Sequence, residues 1–108
     1  MNDKLTALSE IIAQANDKFS DRNRSIDTLM GIMDKSLRQQ GMPADAITIE
    51  CPAQNKKIVI LLHDDKPDSV NVTLGDKSGV IHASKQVLLT ELTVKHMLSI
   101  LEDNLLIN

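Results

Sequence analysis

Residues 58 to 62 read Ile58-Val59-Ile60-Leu61-Leu62, and they decide the fold. Five apolar residues in a row, three of them β-branched, with polar turns on both sides, describe a buried strand. Successive side chains of a strand point to opposite faces, so this one is apolar on both. An antiparallel sheet with one face in water alternates apolar with polar. The run from Lys57 to His63 breaks that alternation. It predicts a central strand covered on both sides, by a helix layer on one; self-association is one explanation for the other.

The flanking segments supply the rest of the sheet. Ile47, Ile49 and Cys51 alternate with Thr48 and Glu50, a half-buried strand that Pro52 ends. His63-Asp64-Asp65-Lys66-Pro67-Asp68 is a turn, because Asp bonds its own following backbone and Pro presets φ. Val70, Val72 and Leu74 alternate with Asn71 and Thr73 as a third strand. Gly75 to Gly79 form another turn, and Val80 to Ala83 a short fourth strand.

Helices are expected on both sides of this sheet in sequence. Leu5, Leu8, Ile12, Ala15 and Phe19 recur at three, four, three, four, one stripe of a helix over residues 3–19. The near-heptad spacing suits pairing with a second copy, so Leu5, Leu8, Ile12 and Phe19 are candidate interface residues. Residues 20–25 hold nothing apolar and read as a break. Ile26, Leu29, Met30, Met33 and Leu37 then predict a second helix over 25–40, with Asp34 and Arg38 as an i,i+4 pair. Gly31 inside that helix costs about 1 kcal/mol. Gly41 and Pro43 stop it. Val94, Met97, Leu98, Leu101 and Leu105 form the apolar face of a closing helix over 90–106, capped by Thr90 or Thr93.

The expected architecture is therefore α+β. One domain over residues 1–108 comprises a helical segment at 2–41, a three- to four-stranded antiparallel meander at 45–83, and a C-terminal helix packed on the sheet. At 108 residues the chain has the size of a single core. Phe19 is its only aromatic residue, so the core is aliphatic and so is any contact surface.

Composition also narrows function. Base-stacking platforms and aromatic cages need rings that are absent here. A net charge of −3 lacks the basic footprint of a duplex binder, and no nucleic-acid partner is expected. The N-terminus has no apolar leader and no run is long enough for a bilayer, so a cytoplasmic location without membrane contact is expected. The lone Cys51 forms no internal disulfide and reads as a small core hydrophobe. No motif calls for a cofactor or a metal.

Two functional readings remain. The first is a non-enzymatic protein-interaction or regulatory domain, homodimeric, with an aliphatic contact surface. A small acidic chaperone or adaptor is its concrete form. The second is a small enzyme or metal-binding domain built on the His63-Asp64-Asp65 turn, with His82 approaching across the sheet. It requires both imidazoles and a carboxylate to converge. His96, beside Lys95, reads as a surface residue.

Overall fold

The structure is a computed structural model, and it describes residues 3–106. Helix α1 spans Asp3–Arg22, strand β1 Leu29–Met33, the single-turn helix α2 Ser36–Gln39, and strand β2 Ala44–Cys51. Strands β3 (Lys56–His63), β4 (Ser69–Gly75) and β5 (Ile81–Leu88) follow, and helix α3 (Val94–Leu105) closes the chain. The five strands form one antiparallel sheet in the order β1-β2-β3-β4-β5, a meander with β3 at its centre.

One face of the sheet carries the core. Ile47, Ile49 and Cys51 of β2, Ile58, Ile60 and Leu62 of β3, and Val70 and Val72 of β4 are buried there. They belong to one cluster with Leu5, Leu8, Ile12, Ala15 and Phe19 of α1 and Met97, Ile100, Leu101 and Leu105 of α3. The α1 stripe is thus part of this chain's own core. A helix whose apolar side chains recur at 3.6-residue spacing packs equally well on a sheet or on a partner helix.

The α+β class, the meander and the C-terminal helix on the sheet are as the sequence predicts. The helical segment at 2–41 and the strand number are not. Among the described residues α1 is the one long N-terminal helix, and residues 25–40 form a turn, β1 and a short α2. Met30 and Ile32 point to the helix side of the sheet, while Leu29, Gly31 and Met33 point away, as their pairing with β2 requires. A strand apolar on both faces carries no period-two signal, and its residues also fit a helical stripe. Gly31 belongs to close packing between strands, since a Cβ there would lie 3.0 Å from Thr48 Oγ1.

The stop at Gly41 holds. Gly41 adopts φ +90°, its N–H bonds Arg38 O at 3.1 Å, and Met42 N–H reaches back to Leu37 O at 2.9 Å. That pair of bonds is the Schellman ending. It terminates one helical turn rather than four. β5 is longer than predicted, running through residues 84–88, because as an edge strand it buries only Val87 and shows little apolar pattern. The closing helix begins at Val94, with Thr93 Oγ1 accepting from His96 N–H at 3.1 Å.

Candidate functional site

The turn after β3 holds the first candidate site. His63 Nδ1 accepts the Asp65 backbone N–H at 3.2 Å, which assigns the ring proton of a neutral imidazole to Nε2. The Asp65 carboxylate stands 3.7 Å from the same nitrogen, beyond hydrogen-bond reach. Arg38 donates Nη1 to Asp64 Oδ2 and Nη2 to Asp64 Oδ1, both at 2.8 Å. The same guanidinium donates Nε and Nη2 to Asp45, both at 3.0 Å. Arg38 therefore pairs with Asp45 and Asp64, not with Asp34 as the helical reading expects.

This arrangement is a clamp. Asp45 is the second residue of β2 with its side chain only 4% exposed, and Asp64 lies in the β3–β4 turn, so one guanidinium ties α2 to a strand of the sheet and to the turn beside it. Forked bonds to carboxylates are among the strongest a side chain makes. They hold the Asp64 carboxyl below the usual carboxylate range and the Arg38 guanidinium further into its charged form. A carboxylate so committed is not free to act as a base.

His82 does not approach His63. Lys57 pairs with Gly75 and Gly75 with Ile81, so His82 lies beside the start of β3 whereas His63 ends it. Six residues of strand separate the two positions, about 20 Å. His82 Nε2 sits 3.5 Å from Asp76 Oδ2 instead. Asp76 itself organises the β4–β5 turn, accepting from Ser78 Oγ and from the backbone N–H groups of Ser78 and Val80, which depress its pKa. The expected convergence of His63, His82 and a carboxylate does not occur. Among the described residues no group of three or more His, Cys, Asp and Glu could hold a metal ion. His96 Nδ1 meets Glu91 O at 2.9 Å on the surface at the start of α3. Cys51 is buried in the core, as its alternation predicts.

The second candidate is the sheet face opposite the helices. Strand pairing arranges it in three rows. Leu29, Glu50, Lys57, Gly75 and Ile81 form the first; Gly31, Thr48, Val59, Thr73 and Ser84 the second; Met33, Ala46, Leu61, Asn71 and Gln86 the third. The β1–β3 half is mainly aliphatic, with one Glu50–Lys57 ion pair at 3.6 Å, and the β4–β5 half is polar. Val59 and Leu61 are half-buried, and Leu29 and Ile81 stand 61% and 66% exposed. Val80 and Ile81 rise over Val59 and Leu61 to wall a groove of about 310 Å³. This is the uncovered face that the Ile58–Leu62 run implies. The contribution of β1 escaped the sequence reading, although Leu29-Met30-Gly31-Ile32-Met33 is the kind of two-faced apolar run that marked β3.

Leu5, Leu8, Ile12 and Phe19, expected at an interface, are at most 2% exposed and face their own sheet. Their use between copies would dismantle the core, so the aliphatic surface available for contact lies on the sheet.

Searches against protein-family models, curated proteins and solved structures return no significant match. Among the described residues, no helix is long and apolar enough to cross a membrane.

Proposed function

We propose that this chain is a non-enzymatic protein-interaction domain, homodimeric, that holds apolar segments of other proteins against the uncovered face of its sheet. The observation that carries this reading is one-sided packing. Both long helices lie on one face, and β3 nevertheless places Val59 and Leu61 on the other. Apolar area removed from water contributes roughly 25 cal/mol per Å². The mainly aliphatic β1–β3 half of this face, three strands at 4.8 Å spacing and about six residues in length, covers on the order of 300 Å². Exposed apolar patches approaching that size on a small domain mark interaction sites. The groove beneath Val80 and Ile81 suits an extended aliphatic segment, and Thr73 in its lining offers a hydroxyl to the segment's backbone. This is the work of a small chaperone or adaptor.

Light scattering across a concentration series tests the dimer, and a monomer at several hundred micromolar would overturn it. The contact face is tested by recovering partners from the native cell with the wild-type chain and with Leu61→Asp. Partners lost from the variant support the face; retention of every recovered partner refutes it.

A further inference from the structure

The free edge of β1 differs from the other edge of the sheet. β5 carries Lys85 and a register shift against β4 at Leu74/Gly75, two devices that discourage pairing with another chain. β1, Leu-Met-Gly-Ile-Met, has no charge and no proline, and its register with β2 is unbroken from Leu29↔Glu50 to Met33↔Ala46. Ile32 faces the helix side beside the buried Ile47, yet it is 43% exposed because β1 has a strand on one side only. Arg38 holds α2 against β2 and the β3–β4 turn, so α2 is not drawn over this edge.

Charge then selects an occupant and a register. Asp27 and Lys35 lie two residues beyond the two ends of β1, and both are exposed. Neither is in an ion pair among the described residues. In an antiparallel self-pairing centred on Gly31, Asp27 comes to the same end of the ladder as Lys35 of the second copy, which lies in the bend leading from β1 into α2, and the two-fold axis repeats the juxtaposition. Leu29 then meets the second copy's Met33, and Met30 its Ile32. Gly31 meets its equivalent, so no side chain crowds the axis. Centring on Met30 would set Asp27 against Met33, and centring on Ile32 would set Lys35 against Leu29. Only the Gly31 register pairs all five residues of β1 with those of the second copy, and it brings Asp27 and Lys35 to one end of the ladder.

We propose that two copies join β1 to β1, antiparallel about Gly31, into one ten-stranded sheet. The assembly is isologous, as most homodimers are. It puts all four long helices on one side and makes the two aliphatic faces continuous on the other. This assigns the contact for the homodimer of the preceding section and rests on that reading. A five-residue ladder is small beside the roughly 1,000 Å² expected of a specific interface. The dimer is accordingly expected at micromolar rather than nanomolar concentrations.

The test is a sedimentation or light-scattering series on wild type, Asp27→Lys, Lys35→Asp and the double reversal. Each single reversal sets like charges together twice per dimer and should weaken association roughly tenfold at low salt. The double reversal should restore it. Ile32→Lys, a change on an exposed edge position, should give a monomer with an unchanged circular-dichroism spectrum. A dimer indifferent to the charge reversals and to Ile32→Lys but broken by Val59→Asp would place the contact on the sheet face, overturning the edge pairing and sparing the homodimer. Singles that weaken without rescue in the double would overturn the Gly31 register. A monomeric wild type would overturn both readings.

Discussion

Arg38 and Asp64 meet fork to fork, with Nη1 2.8 Å from Oδ2 and Nη2 2.8 Å from Oδ1. The guanidinium also reaches the buried Asp45 at 3.0 Å through Nε and Nη2. The two carboxylates differ in exposure, and so should the consequences of removing each partner. Arg38→Met leaves the carboxylate of Asp45 with its principal cation gone, and stranding a buried charge costs more than losing an exposed partner. Asp64→Asn leaves the Arg38–Asp45 bonds in place. Urea denaturation should therefore rank wild type above D64N and D64N above R38M. An R38M chain as stable as wild type would show that the clamp contributes nothing.

The same contact gives a pH dependence of defined sign. Arg38 holds the Asp64 carboxyl below its ordinary 3.8. A folded-state value lower than the unfolded one means that the stabilisation is present above about 3.8 and is lost as pH falls through the depressed value. Wild type should exceed D64N at pH 7, and the gap should close as acid titrates the carboxylate. Asp76, also depressed, keeps part of the acid slope in D64N because its donors are in its own turn. Denaturation midpoints at pH 7, 5, 4 and 3 check this; parallel curves for the two proteins would contradict it.

The α1 stripe illustrates what was legible and what was not. Leu5, Leu8, Ile12, Ala15 and Phe19 can be read as one helical face from spacing alone, and all five are buried. What they face cannot be read, because periodicity records which side is apolar and not what lies against it. Ile12→Ala should lower stability by about 2–5 kcal/mol, the usual effect of a cavity at a fully buried site. Its oligomeric state in native buffer should match wild type, in contrast to the β1 edge variants.

The β1 segment was illegible for a different reason. Leu29, Met30 and Met33 fit helical spacing, and the alternation of a half-buried strand is missing because both faces are apolar. Gly31 was the residue at odds with a helix. In the sheet it answers to sterics, as a Cβ there would lie 3.0 Å from Thr48 Oγ1, and Thr48 is itself buried. The candidate site suffered similarly. His63, Asp64 and Asp65 are adjacent in sequence, but the Asp64 partner is Arg38, 26 residues away. Sequence order placed His82 on the right sheet without fixing which end of it.

Gly31→Ala should then behave unlike an ordinary strand substitution. In an open strand, alanine gains roughly 0.5–1 kcal/mol over glycine by restricting the unfolded chain. Here the new methyl meets an oxygen whose side chain is packed between β1 and β3, and overpacking costs about 1–3 kcal/mol. The net effect should be a loss on the order of 1 kcal/mol. Thr48→Ala removes the obstructing hydroxyl, so alanine at position 31 in that background should be neutral or stabilising. A double-mutant cycle by urea denaturation reads this as a coupling energy between the two positions. Additive losses would mean that Thr48 is not what requires glycine there, and the close approach of β1 to β2 would need another cause.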